Sequence, residues 1–308
     1  MESLRDIRQN IKSIKSTQQI MLTMKMISSA RIKRAQNAMI AARPFSLKLE
    51  GLIDDLRKDI MGQCENFDPA LKRFFVTPEE AATGEKPPIG LVVITADKGL
   101  CGAFNALILR NTLAFLRENK DRKIYVFCVG KKGRDFISRL KMPNIEIYYE
   151  AVGIFPKVGF VHAEMLGAAV GKAFVEMDLS EVHVIYNDFK SMGSQTLTRG
   201  RILPFDFDIS HGHSEEGEEH EDFLYEPGKD YIFKTLLLRH IKAVLYRVLL
   251  ESQAAELSAR MNAMDSASKN AGELVDALGI KLNKVRQSSI TNEITEIVGA
   301  VEALSSSN

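Results

Sequence analysis

The residues richest in potential chemistry stand in one short stretch. His211, His213 and His220 lie amid Glu215, Glu216, Glu218, Glu219, Glu221 and Asp222. Such donors take up divalent metal opportunistically, but they lack the fixed ligand spacing of a built site. The surrounding segment, 206–228, has too few apolar residues to pack, so it reads as an exposed excursion with no resident metal. A second stretch, TADKGLCGAFN at Thr95–Asn105, follows an apolar run and opens a helical one. That is the setting in which glycine-rich loops cradle phosphate. It carries G-x-x-G but neither G-x-G-x-x-G nor G-K-[ST], and tight strand-to-helix packing accounts for its glycines without a nucleotide. Cys64, Cys101 and Cys128 show no C-x-x-C spacing, which fits a reducing compartment, and Cys101 reads as a small core hydrophobe. No Ser/His/Asp set, carboxylate pair or H-E-x-x-H pattern occurs, and His162, His183 and His240 stand singly in regular segments. The expectation is no catalytic residue, no cofactor and no metal.

Charge is more informative. Over the whole chain 41 Lys and Arg balance 40 Asp and Glu, a net +1, so no global field draws nucleic acid or an anionic membrane. Locally the balance fails. From Ile7 through Leu49 there are nine cations (Arg8, Lys12, Lys15, Lys25, Arg31, Lys33, Arg34, Arg43, Lys48) and no Asp or Glu. Solvated helices usually intersperse both signs, because i,i+4 pairs stabilise and like charges repel. An uninterrupted row is either a plain basic face or the mate of an acidic partner. Apart from Phe45 no aromatic side chain interleaves it, which argues against nucleic acid.

The elements that must position these residues follow from apolar periodicity in a chain of 308 residues, 45% hydrophobic and 26% charged. Residues 1–60 hold one Gly and one Pro and read as one long helix, with a kink or break at Pro44. Leu4, Ile7, Ile11 and Ile14 step by 3, 4 and 3, and Met21, Met24 and Ile27 continue a stripe after a phase shift. Ser3 with Asp6 resembles a capping box, with Asp in place of the usual Glu or Gln. Residues 61–230 form a central α/β domain. Its short apolar runs predict strands at 89–95, 124–129, 145–149 and 182–187, helices at 103–119, 131–140 and 160–177, and an extended pair near 195–205 closing one edge. Residues 231–308 return to helix, about 105 Å long at ~1.5 Å per residue. Its stripes are Leu238, Ile241, Leu245, Val248 and, at the end, Ile290, Ile294, Ile297, Val301 and Leu304. The fold class is thus a small Rossmann-like α/β domain plus a long antiparallel coiled coil of the two terminal helices.

Together, SLRDIRQNIKSIKSTQQI and KMISSARIKRAQ at the start, ITADKGLCGAFN in the middle, and ARMNAMDSASKNAGELV with VRQSSITNEITEIVGA at the end resemble the gamma subunits of F-type rotary ATP synthases. The likeness covers essentially the whole chain and departs at Glu302 and in the His/Glu-rich excursion. It implies a non-catalytic central shaft inside a ring of alpha and beta subunits, standing on the membrane rotor ring beside an epsilon subunit and coupling proton-driven rotation to ATP synthesis. In that frame Met24, Lys25, Arg31, Lys33 and Arg34 face acidic lever loops of beta, and Arg286, Gln287 and Thr291 meet its catch loop. Ile290, Ile294, Ile297 and Val301 form an apolar bearing tip, and Tyr225 and Glu226 belong to the foot. The implied location is peripheral, on the cytoplasmic face of a bacterial inner membrane, with membrane contact through the complex. The rival from another class is a soluble nucleotide-binding α/β enzyme with coiled-coil oligomerisation arms.

Overall fold

The computed structural model describes residues 3–63, 73–75, 86–155, 157–205, 226 and 228–305. In chain order these form α1 (Leu4–Gln63), β1 (Ile89–Ile94), α2 (Phe104–Glu118), β2 (Ile124–Val129), α3 (Lys131–Leu140), β3 (Ile145–Ala151), α4 (Phe160–Glu176), β4 (Glu181–Phe189), β5 (Gln195–Leu203) and α5 (Lys229–Ser305). Two compact units result, residues 30–259 and residues 1–29 with 260–308.

In the unit 30–259 the strands are ordered β3-β2-β1-β4-β5, the first four parallel and β5 antiparallel to β4. The extended pair expected near 195–205 is therefore one strand, which does close an edge. Strands β1 and β2 are buried along their full length, as the all-apolar runs IGLVVI and IYVFCV require of strands covered on both faces. Alternate residues serve opposite cores. Ile89, Leu91, Val93, Ile124, Val126 and Cys128 meet Phe104, Ile108, Phe115 and Leu116 of α2 and Ile137 of α3. Val92, Ile94, Tyr125, Phe127 and Val129 share the other core with α4, with Leu49, Ile53 and Leu56 of α1, and with Phe233, Leu237, Ile241 and Leu245 of α5. Helices α4 and α5 approach closely because α4 carries glycine where they meet. A Cβ on Gly167 would lie 3.3 Å from the Cα of Lys242, and one on Gly171 would lie 3.4 Å from Leu238.

Helix α1 passes through Pro44 without a break, so of the kink or break expected from sequence the break does not occur. Proline removes one intrahelical hydrogen bond and crowds one carbonyl. The buried side chains of Leu49, Ile53 and Leu56 hold the segment beyond it, each contributing about 1.5–3 kcal/mol.

The second unit pairs the start of α1 with the end of α5. The capping box forms as expected: Ser3 Oγ accepts the N–H of Asp6, and Asp6 Oδ2 accepts the N–H of Ser3, both at 3.2 Å. Within residues 3–29 the buried and half-buried positions are Leu4, Ile7, Ile11, Ile14, Gln18, Met21, Lys25 and Ser28, an unbroken 3-4 repeat. Here the sequence reading is corrected. The seam has no phase shift, and Met24 and Ile27 are exposed at 37% and 47%. The seam of α5 is Met261, Met264, Ser268, Ala271, Val275, Leu278, Leu282, Val285 and Ser289, again at 3-4 spacing. Gln18 bonds to the Ser268 carbonyl and Lys25 to Asp265. The partner number falls as the α1 number rises, so the pair is antiparallel.

Candidate functional site

The antiparallel pairing leaves one helix end uncovered. Paired residue numbers add to 286 for Gln18 with Ser268 and to 290 for Lys25 with Asp265, so Leu4, the first residue of α1, lies level with about 282–286 of α5. Beyond that level α5 continues to Ser305, about 28 Å of helix at ~1.5 Å per residue. Every residue from Ile290 to Val301 is exposed, with Ile290 at 48% and Ile297 at 64%. At the same point the apolar face changes sides. Continuing the seam past Ser289 gives Asn292, Glu296 and Gly299, whereas Ile290, Ile294, Ile297 and Val301 lie about 150° round the helix at ~100° per residue. These tip residues do not pack on α1. Arg286 and Gln287 at the base of the tip are exposed as well, and the Thr291 hydroxyl donates to the Gln287 carbonyl of its own helix at 2.9 Å.

The cation row divides on inspection. Lys25 occupies a seam position, and its Nζ lies 2.6 Å from Asp265 Oδ1, while Asp265 Oδ2 also meets Lys269 at 3.0 Å. Those two ammonium groups, Lys25 foremost, hold the Asp265 carboxyl below its ordinary range. Lys25 is thus partly neutralised within the chain. Arg31, Lys33 and Arg34 are exposed and make no ion pair among the described residues, as do Arg8, Lys12 and Lys15. Met24 stands beside Lys25, half clear of the pair. Asp265, a functional neighbour that sequence reasoning missed, lies 240 residues from Lys25. Its one signal was a lysine at a heptad seam position, which calls for an acid across the seam.

The loop after β1 sits where a phosphate would bind in a doubly wound sheet, and the chain fills the place itself. The first three N–H groups of α3 are all taken. Lys131 donates to Asp97 Oδ1 at 3.0 Å, Lys132 to the Ala96 carbonyl at 3.2 Å, and Gly133 to Thr95 Oγ1 at 2.8 Å. Asp97 also accepts the N–H of Gly153 at 3.0 Å and of Phe155 at 3.4 Å, tying the β1, β2 and β3 loops together. Asn105 Oδ1 accepts the Ala96 N–H at 2.9 Å. Gly130 must be glycine: its φ is +90° and a Cβ would lie 2.0 Å from the Thr95 carbonyl oxygen. The N–H groups with which the start of α3 could hold an anion are thus occupied by the chain's own oxygens. Cys101 is buried among these residues and Cys128 lies in the sheet, its thiol pushed up to about 12 by burial.

The single histidines have structural partners. His162 Nδ1 accepts the Gly159 N–H at 2.9 Å and caps α4; His183 meets Glu181 at 2.7 Å; His240 meets Phe205 edge to face and is driven down to about 4, first by burial and then by Arg247. Glu226 is exposed. Tyr225 and the histidines and acids of 206–225 lie outside the described residues. Among the described residues no cluster could hold a metal ion, and no helix is long and apolar enough to cross a membrane.

Comparison with known proteins gives one consistent result. The family model described as ATP synthase matches residues 3–304. The chain is 69% identical over 305 residues to the ATP synthase gamma chain of Elusimicrobium minutum, covering 99% of each, and 38% identical over 306 residues to that of an Anaeromyxobacter species, covering 99% of this chain and all of the relative. Among solved structures it resembles in fold a chain of the Euglena gracilis mitochondrial ATP synthase, with TM-score 0.65 and 19% identity, covering 98% of this chain and 94% of that one. A chain from the central stalk and c-ring of the Tetrahymena thermophila enzyme gives TM-score 0.59 at 24% identity, covering 81% and 99%.

Proposed function

This chain belongs to the ATP synthase gamma-chain family and is a non-catalytic subunit, and from that premise we propose how it serves as the central rotor shaft. The observation that carries the reading is the uncovered end of α5, whose apolar face turns away from the seam at the level where α1 begins. Ile290, Ile294, Ile297 and Val301 turn in an apolar sleeve formed by the alpha and beta subunits. Contacts of this kind are non-directional, so they hold the axis without fixing an angle. At the base of the tip Arg286, Gln287 and Thr291 offer directional hydrogen bonds to a beta catch loop, and these do favour particular angles. Thr291 already spends its proton on its own helix, so its oxygen is the group left to accept.

Along α1, the acidic lever loops of beta meet Arg31, Lys33 and Arg34, which make no ion pair among the described residues. Lys25 joins them at reduced strength, because Asp265 shares it, and Met24 adds an apolar contact beside it. One asymmetric rod cannot present the same face to three equivalent sites. Each catalytic subunit is therefore biased to a different state, and rotation exchanges the states. The unit 30–259 serves as the foot on the membrane rotor ring beside an epsilon subunit, with Tyr225 and Glu226 in that contact. Membrane association is peripheral and through the complex, on the cytoplasmic face of a bacterial inner membrane. The rival nucleotide-binding enzyme finds no anion site at the start of α3, where Asp97 and Thr95 occupy N–H groups.

Co-expression with alpha and beta subunits tests the reading. A complex of three alpha, three beta and one copy of this chain is expected, and deletion of 291–308 should weaken proton-coupled synthesis more than it weakens folding of the unit 30–259. Failure to assemble, or micromolar ATP binding with turnover by the isolated chain, would overturn it.

A further inference from the structure

The uncovered end of α5 poses a question about the chain before assembly. Ile290, Ile294, Ile297, Val298 and Val301 are all at least 48% exposed on one short stretch of helix, a patch that soluble chains rarely leave bare. Its own α1 cannot cover it, because the apolar face lies about 150° from the seam that α1 occupies. We propose that in the free chain this patch is covered by the same patch of a second copy, the two tips lying antiparallel across a two-fold axis.

The stripe is self-complementary in that direction. Setting Ile290 against Val301 of the second copy also sets Ile294 against its Ile297, and the symmetry repeats both pairs. In the same register Glu293 falls level with Val298 and Glu296 with Thr295, so no acid faces an acid, and position 302, a glutamate, comes within a turn of Arg286. Parallel pairing would instead set Glu293, Glu296 and Glu302 each against its own copy. Residues 287–308 contain those three acids and no Lys or Arg, so that arrangement is repelled throughout. The area covered is on the order of 1,000 Å² in total, at the lower end of specific interfaces. The pairing is accordingly weak and reversible, with Kd in the micromolar range. It also excludes insertion of the tip into any other sleeve. The proposal does not depend on the shaft reading, since it follows from exposure, phase and charge.

Sedimentation velocity of the purified full chain over a concentration series tests it. A monomer–dimer equilibrium is expected, and Ile294→Glu with Ile297→Glu should weaken it more than 10-fold while leaving the helical circular dichroism unchanged. Arg286→Glu should weaken the dimer, and adding Glu302→Arg should restore it. A chain that stays monomeric throughout, one that forms species larger than a dimer without saturation, or a double glutamate variant that dimerises like the parent would overturn the proposal. So would failure of the charge exchange to restore what Arg286→Glu removes.

Discussion

Two isoleucines on the same unit should respond oppositely to the same substitution. Ile7 is fully buried in the seam between α1 and α5, whereas Ile297, on the end of α5 beyond the seam, is 64% exposed. Truncating a buried isoleucine to alanine removes its transfer free energy and leaves a cavity, about 2–5 kcal/mol together. At an exposed helical position the same change stays within about 0.5 kcal/mol, and the better helix propensity of alanine offsets part of that. Ile7→Ala should therefore lower the urea midpoint of the isolated chain, followed by loss of helical signal at the lowest workable concentration, by an amount equivalent to about 3 kcal/mol. Ile297→Ala should leave it unmoved. In the assembled complex the ranking for coupling should differ: Ile297→Ala lowers proton-coupled ATP synthesis although the chain itself is as stable as before. If Ile297→Ala destabilises the isolated chain by more than about 1.5 kcal/mol, the tip is packed within the chain and the separation of seam from bearing is wrong. A loss below about 1 kcal/mol at Ile7 would equally refute the seam assignment.

Lys25→Glu sets two acids against each other across the seam and should lower the melting temperature of the terminal helices, and Asp265→Lys in the same chain should recover most of the loss; an unrepaired double variant would mean the pair is incidental. Gly130→Ala forces a side chain into a left-handed conformation and against the Thr95 carbonyl, and it should cost about 3 kcal/mol or more in the unit 30–259, read by denaturant unfolding. His240 is held neutral in the fold, driven from 6.5 to about 4. Its contribution is complete above pH 6.5 and is lost as pH falls toward 4, where the unfolded chain binds the proton more tightly. The loss totals about 3 kcal/mol at ~1.4 kcal/mol per unit, and His240→Gln should flatten that part of the stability profile.

The sequence discloses the sheet well because β1 and β2 are apolar at every position, a pattern that buried parallel strands need and amphipathic helices do not show. It disclosed the first two heptads of α1 for a similar reason, since Leu4, Ile7, Ile11 and Ile14 are all apolar. The reading failed where the seam turns polar. Gln18, Lys25 and Ser28 keep the 3-4 repeat by hydrogen bonding and burial, so a search for apolar residues shifted to Met24 and Ile27 on the exposed side. The partner that makes Lys25 tolerable there is Asp265, and nothing local in the sequence joins the two. The tip was legible as an apolar stripe, but its bareness was not. That follows from where α1 begins relative to α5, a property of the pairing and not of either helix. Asp97 was likewise hidden, because an aspartate after a strand looks the same whether it binds a ligand or three backbone amides.

That aspartate has a further consequence. A bound phosphate can leave; a carboxylate attached to the backbone cannot. Because Asp97 and Thr95 hold N–H groups of α3, and Asp97 also holds those of Gly153 and Phe155, the loops after β1, β2 and β3 are fastened by the chain itself. This end of the sheet is accordingly closed by a permanent tie, one that no change in the concentration of a solute loosens.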